Sequence, residues 1–164
     1  MQIKALFIIL GCIFLFAGCT RDDICTSDTS KTPLLIIRFY NANAPDLFKP
    51  APRFTVFQEG DEFTFFAPET TDSIAIPLPT NSDFADYFFV TNATDSIPNI
   101  DLISFTYILK NEYINRACAF RTNYNNFNGT LDNNSPMGWI ENIQIVTDSI
   151  NARNQNAAHI NIYH

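Results

Sequence analysis

From Thr32 onward the chain alternates short runs of Ile, Phe, Val, Thr and Tyr with clusters of Pro, Asn, Asp and Gly. The first group suits a pleated, half-buried surface and the second forms turns, so the pattern predicts strands and turns and no helix. Nine strands are expected, over residues 34–40, 54–58, 63–67, 73–78, 87–90, 102–109, 113–120, 140–146 and 158–163. That number at that spacing predicts an all-β fold, an antiparallel β-sandwich of immunoglobulin-like or related type.

Alternation within a strand means one buried face and one wet face. Ile74, Ile76 and Leu78 are expected inside, with Ser73, Ala75 and Pro77 outside. Ile160 and Ile162 likewise oppose His159, Asn161 and Tyr163. Leu34-Leu35-Ile36-Ile37 does not alternate and reads as a strand covered on both faces in mid-sheet. Glu59-Gly60-Asp61-Glu62 reads as a hairpin turn in which Gly60 takes a positive φ. Pro45, Pro50 and Pro52 mark a loop, and the Asn-rich stretch 123–138 is expected to be the longest one.

The first residues carry a different pattern: Lys4, an apolar run over 5–16, then Phe16-Ala17-Gly18-Cys19. This is the order of a secretory signal ending in a lipobox, with residues 1–18 removed and Cys19 acylated. The apolar run is shorter than the roughly 20 residues a membrane-spanning helix needs. The alternative is an ordinary cleaved signal with an incidental cysteine. Residues 19–31 are polar apart from Ile24 and Cys25 and read as a flexible tether, leaving 32–164 as a single β-sandwich domain. Thr20-Arg21-Asp22-Asp23 resembles the acidic surface-export tether of Bacteroidota lipoproteins, so an outer-membrane, surface-facing location is favoured over a periplasm-facing one.

A net charge of −7 without a basic cluster opposes binding to nucleic acid or to anionic headgroups, so acyl chains on Cys19 would hold the protein to the membrane. With Cys12 lost in the signal and Cys19 acylated, Cys25 and Cys118 remain in an oxidising compartment, where a disulfide is the expected fate. Two unpaired thiols, or a redox pair, are the alternatives; no Cys-x-x-Cys spacing favours the latter.

The chain resembles a family of Bacteroidota lipoproteins of unknown function. The resemblance rests on Cys19 followed by Cys25, on Thr32-Pro33-Leu34-Leu35-Ile36-Ile37-Arg38-Phe39-Tyr40, and on Asp72-Ser73-Ile74 leading to Pro77-Leu78. It continues through Ala117-Cys118, Trp139-Ile140 and His159-Ile160-Asn161-Ile162-Tyr163. It implies the lipid anchor and the Cys25–Cys118 pair as shared features, and no activity. A Gly follows the later cysteine of that pair in the family, where this chain has Ala119.

Thr-Asp-Ser-Ile occurs at 71–74, 94–97 and 147–150. Asp-Ser followed by an aliphatic residue matches the acceptor pattern for O-glycosylation of exported Bacteroidota proteins, which makes Ser73, Ser96 and Ser149 candidate sites. Asp-Ser is also a turn pair and Ile a strand opener, so loop-to-strand junctions generate the same tetrapeptide.

No catalytic residue, cofactor or metal site is expected. His159 and His164 are the only histidines, neither belongs to a nucleophile or zinc motif, and His159 is expected to be solvated or at a sheet edge. Asp22-Asp23 and Asp61-Glu62 fall in tether and turn. Tyr124 and Phe127 among amides, followed by Trp139, offer a candidate ligand surface for a glycan, against the alternative that these rings cap the core. Together these features predict a lipid-anchored envelope protein with a binding or structural accessory role and a glycan or envelope-protein partner. A small hydrolase using carboxylates such as Asp61, Glu62, Glu69 and Glu141 is the alternative.

Overall fold

The computed structural model describes residues 24–26, 29, 31–60, 64–65, 67–132 and 135–164. The expected signal segment, Cys19, Asp22-Asp23, Asp61 and Glu62 lie outside the described residues. So do Phe63 and Phe66 of the strand expected over 63–67, and its described residues Thr64, Phe65 and Ala67 are not strand. The chain falls into two compact units, Met1–Thr29 with Tyr113–Phe120, and Ser30–Glu112 with Arg121–His164.

The described residues are all-β, with eleven strands: β1 (Leu35–Asn41), β2 (Ala44–Phe48), β3 (Ala51–Gln58), β4 (Glu69–Thr71), β5 (Ser73–Ile76), β6 (Phe84–Thr91), β7 (Asn99–Asn115), β8 (Ala119–Leu131), β9 (Asn142–Ile145), β10 (Ser149–Ile150) and β11 (Ile160–Tyr163). They form two sheets, as a sandwich requires. The five-stranded sheet runs β2-β1-β11-β9 with β5 also on β1, and the six-stranded sheet runs β10-β8-β7-β6-β3-β4. β1 and β11 pair in parallel, with Ile37 opposite Ile160 and Phe39 opposite Ile162. Parallel neighbours need a long connection, and almost the whole domain lies between these two strands.

Both sheets turn apolar rows inward. Leu35, Ile37, Phe39, Ile74, Ile76, Ile160 and Ile162 from one sheet meet Phe54, Val56, Tyr87, Phe89, Ile103, Phe105, Tyr124 and Ile150 from the other, all buried. Fully burying one such side chain contributes about 1.5–3 kcal/mol. Phe39 and Phe54 touch with ring centroids 5.0 Å apart. Ile74, Ile76 and Leu78 are inside as the alternation predicts. β1 is central, with neighbours on both edges, but its burial alternates: Ile36 and Arg38 are only half-buried and Leu34 is exposed. The segment Pro77-Leu78-Pro79 leaves its carbonyls outside any ladder, and three core tyrosines donate to them. Tyr87 bonds Pro77 O at 2.6 Å, Tyr124 bonds Leu78 O at 2.8 Å and Tyr107 bonds Pro79 O at 3.4 Å.

Three sequence expectations need correction. The prolines do not define a loop: Pro45 lies in β2, at the sheet edge where a missing N–H is tolerated, and Pro52 lies in β3 at a register shift between Ala51 and Phe54. Residues 113–120 are not one strand, because a turn at Arg116–Cys118 separates β7 from β8. Much of the expected 123–138 loop is strand, since β8 continues to Leu131. Tyr124 and Phe127 both face the core although three positions apart, and Asn126 between them takes φ 51°. That irregularity breaks the two-residue period, which is why the segment does not read as a strand.

Asp101, 3% exposed, organises the turn after β8. Its Oδ2 accepts the N–H groups of Trp139 at 2.6 Å and Ile140 at 2.9 Å, while Trp139 Nε1 donates to Phe89 O at 3.1 Å. A Cβ on Gly138 would stand 2.6 Å from Asp101 Oδ1. Gly138→Ala is therefore expected to displace the carboxylate and lower stability by about 1.5–3 kcal/mol in urea unfolding, the range for hydrogen bonds to a charged group.

In the smaller unit, Cys25 and Cys118 form a disulfide with Cα atoms 4.9 Å apart. Asn115 Oδ1 accepts the Cys118 N–H at 2.7 Å and shapes the turn. Ala119 follows with φ 56°, a left-handed conformation in which a Cβ is disfavoured and Gly is not. Ala119→Gly is expected to stabilise the oxidised protein by about 0.5–1 kcal/mol, read as a higher urea midpoint with unchanged slope.

Candidate binding face

On a pleated sheet, residues opposite one another on neighbouring strands share a face, so the registers around β1 and β11 define what the five-stranded sheet presents to solvent. One outward row is polar: Ser73, Arg38, Asn161 and Gln144 lie opposite one another in turn. The next is largely aromatic: Phe48, Tyr40, Tyr163 and Asn142. Ring centroids are 4.8 Å apart for Tyr40 and Phe48, and 5.7 Å for Tyr40 and Tyr163, with interplanar angles of 34° and 32°. Arg38 lies over the Phe48 ring, its guanidinium carbon 5.7 Å from the centroid. Such ring and cation–ring contacts contribute about 0.5–1.5 kcal/mol each and hold the side chains in place.

Two open depressions flank the aromatic row. One, of about 470 Å³, is lined by Tyr163, Asn142, Gln144, Glu141 and Pro45 among others. The other, of about 290 Å³, is lined by Arg38, Phe48, Asp72 and Ser73. The Tyr163 hydroxyl donates to Gln144 Oε1 at 2.8 Å, fixing the ring beside the first depression. Asn161 Oδ1, in the polar row, is buried without a hydrogen-bond partner. A fixed ring with amide and carboxylate groups around an open hollow can take a ligand that has apolar C–H faces and hydroxyl edges.

The expected ligand surface is not here. Tyr124 is fully buried and Phe127 is 2% exposed, so neither ring can meet a ligand. Trp139 is half-buried and packs on Phe39 at 5.9 Å, Phe54 at 6.0 Å and His164 at 4.9 Å, a core cap. The outward aromatic row was within reach of sequence reading, because Tyr40 and Tyr163 sit at polar-phase positions of alternating strands. Their meeting depended on the parallel register, which no local pattern reveals.

The Thr-Asp-Ser-Ile segments are partly explained by local geometry. At 71–74, the Thr71 hydroxyl donates to Ser73 O at 2.8 Å and accepts the Ser73 N–H at 3.2 Å. At 147–150, Thr147 makes the same pair with Ser149 at 3.2 and 3.3 Å. In both, the Asp carbonyl accepts a neighbouring strand's N–H, Phe39 to Asp72 and Phe127 to Asp148, and the Ile enters the core. The third segment differs: Ile97 is exposed and Asp95 pairs with Arg53 at 2.7 Å. Ser73 and Ser96 are exposed, whereas Ser149 is half-buried and its Oγ accepts Asn151 Nδ2 at 3.2 Å.

Neither histidine resembles a catalytic base. His159, expected in solvent, is fully buried; its Nδ1 accepts the Ile36 N–H at 2.9 Å and its Nε2 donates to Asn154 Oδ1 at 3.1 Å. His164 Nε2 donates to Lys49 O at 2.9 Å. Burial holds both imidazoles below the ordinary histidine pKa, outweighing the hydrogen bonds that favour protonation. Glu69 and Glu141 are exposed, and among the described residues no three His, Cys, Asp or Glu are grouped to hold a metal.

The depressed histidines fix a sign for pH dependence. Below about pH 6.5 the unfolded chain binds protons that the folded chain does not, so stability is full above that value and falls as pH drops toward the folded pKa values. The thermal midpoint is expected to fall between pH 7.5 and pH 5. His159→Gln should lose about 1–3 kcal/mol at pH 7.5, from imperfect pairing of the Ile36 N–H, and show a weaker fall on acidification.

No curated protein and no solved structure matches the chain. A family of unknown function (DUF6452) matches residues 53–164, from the bulge of β3 through β11, including Cys118 but not Cys25. On that match, the chain belongs to the DUF6452 family of unknown function.

Proposed function

We propose that this protein is a lipid-anchored binding module of a bacterial cell envelope that captures a saccharide or a glycosylated partner on the outer face of its five-stranded sheet. The observation that carries the reading is the aromatic row Phe48, Tyr40 and Tyr163, set beside Arg38, Asn161 and Gln144 and flanked by open depressions. Ring faces bind sugar C–H surfaces, and amides and guanidinium bond the hydroxyls.

The anchored part rests on sequence: a signal over 1–18, acylation of Cys19, and a tether over 19–31 ahead of the domain at 32–164. The resemblance to Bacteroidota lipoproteins supports an outer-membrane, surface-facing address. Cys25 follows Cys19 by six residues, a reach of roughly 20 Å, and is bonded to Cys118 in the turn between β7 and β8; Ile24, Tyr113 and Phe120 are all exposed. Apolar side chains there suit a bilayer-proximal position. Ser73 and Ser96 remain the accessible candidates for O-glycosylation.

Two measurements test this reading. Mass spectrometry of the protein from its native membrane should find acyl mass on Cys19; an unmodified Cys19 would remove the anchor. On a glycan array, Tyr163→Ala should weaken the strongest signal at least 10-fold, whereas Phe84→Ala, exposed on the other sheet, should not. Equal loss in both variants, or no glycan bound by the native protein, would remove the binding face.

A further inference from the structure

Residues 113–120 comprise the end of β7, the turn and the start of β8, and Cys118 in that turn is bonded to Cys25. Tyr113 is 57% exposed and Phe120 65%, yet the two rings meet edge to face with centroids 5.4 Å apart. That contact keeps them together, so they form one apolar spot. Ile24, also exposed, precedes Cys25. The disulfide Cα atoms are 4.9 Å apart and successive residues about 3.8 Å, so Ile24 stays within about 16 Å of Phe120.

The charge around this spot runs against that of the chain. There are 17 Asp and Glu to ten Lys and Arg in all, but residues 113–120 hold no acid and one base, Arg116, which is exposed. The Cys118 N–H in the turn is paired, since Asn115 Oδ1 accepts it at 2.7 Å. Exposed rings with a cation nearby and no carboxylate suit a lipid interface, where aromatic side chains sit at headgroup level and Arg reaches up to phosphate.

Covalent geometry limits what can meet the spot. The six residues from Cys19 to Cys25 span at most about 20 Å, and the disulfide adds 4.9 Å between Cα atoms. With Cys19 acylated, Cys118 therefore stays within about 25 Å of the headgroups, and a small domain, about 30 Å across, has no room between turn and bilayer. At that range the turn faces lipid at an effective concentration in the millimolar range or above, so a contact made by a few side chains is populated.

We propose that the turn between β7 and β8 docks on the bilayer to which the chain is anchored, with Tyr113, Phe120 and Ile24 entering the boundary between headgroups and acyl chains and Arg116 bonding a lipid phosphate. This contact presupposes the acylation of Cys19 proposed above. Beyond that anchor, the Cys25–Cys118 bond brings a second point of the chain to the membrane.

The test anchors the protein chemically. In the mature chain with Cys25 and Cys118 bonded, Cys19 is the one free thiol, so it couples to a maleimide lipid in phosphatidylcholine vesicles. Phe120→Trp then places an indole at the spot. Coupling is expected to shift the added emission to shorter wavelength, and brominated phosphatidylcholine should quench it at least 3-fold more than it quenches Trp139 of the native chain. Tyr113→Glu in the same background should return the emission to that of the uncoupled chain, and Arg116→Glu should lower the quenching at least 2-fold. Emission unchanged by coupling, or quenching that survives Tyr113→Glu, would overturn the proposal; indifference to Arg116→Glu would overturn the phosphate contact. Sedimentation of the uncoupled chain should give a monomer, and a dimer abolished by Tyr113→Glu would assign the spot to a second copy instead. Because the anchor is supplied by coupling, an unacylated native Cys19 and an undocked turn are separate results.

Discussion

The parallel pairing of β1 with β11 is the contact on which the larger unit depends. It joins the first strand to the last and sets two registers at once. Inside, Ile37 meets Ile160 and Phe39 meets Ile162; outside, Arg38 meets Asn161 and Tyr40 meets Tyr163. A slip of β11 by one residue would turn Asn161 and Tyr163 toward the core and expose Ile160 and Ile162, a change of several kcal/mol. His159 secures the register from the start of β11, because its N–H donates to Ile36 O and its Nδ1 accepts Ile36 N–H. A buried imidazole with both nitrogens satisfied thus does for the strand pair what a further ladder residue would do, and it can do so only when neutral.

The sequence made the fold class legible because most strands keep the two-residue period. Ser73–Ile76 and Ile160–Tyr163 alternate without interruption and lie where the pattern puts them. Reading failed where the backbone departs from that period. Pro52 and Arg53, with Arg53 at φ 43°, interrupt β3, and Asn126 at φ 51° interrupts β8, so proline and asparagine there signal irregular strand rather than loop. Asparagine tolerates the left-handed region better than other side chains, which lets it occupy both roles. The same ambiguity produced the expectation of a ligand surface at Tyr124 and Phe127. Tyr124 and Phe127 stand among amides in the sequence, but the irregularity turns both rings inward and the amides outward.

The two sheets present chemically different outer faces. The five-stranded sheet exposes stacked rings beside one guanidinium and several amides, with Asp72 and Glu141 at the flanking depressions. The six-stranded sheet carries the cation-lined hollow around Glu112. The hollow was not legible in the sequence, since Lys110, Arg121 and Arg153 are scattered along the chain and converge only because β7 and β8 are neighbours and the turn after β10 folds back beside them. The whole chain carries −7, so any positive potential at the hollow is local, and salt screens it beyond about 10 Å.

The Thr-Asp-Ser-Ile segments show how one tetrapeptide serves structure. At 71–74 and 147–150 the threonine hydroxyl bonds the serine backbone, the Asp carbonyl bonds the next strand and the isoleucine enters the core. None of these uses the serine hydroxyl. At Ser149 that oxygen is taken by Asn151, and the residue is half-buried. At Ser73 it points with Arg38 from the polar row of the outer face. A group carried on Ser73 would stand at the depression that Arg38, Phe48 and Asp72 also line. Ser96, in a segment that keeps neither the threonine pair nor the buried isoleucine, lies apart from that depression, because its surroundings are held by the Arg53–Asp95 pair and not by the five-stranded sheet.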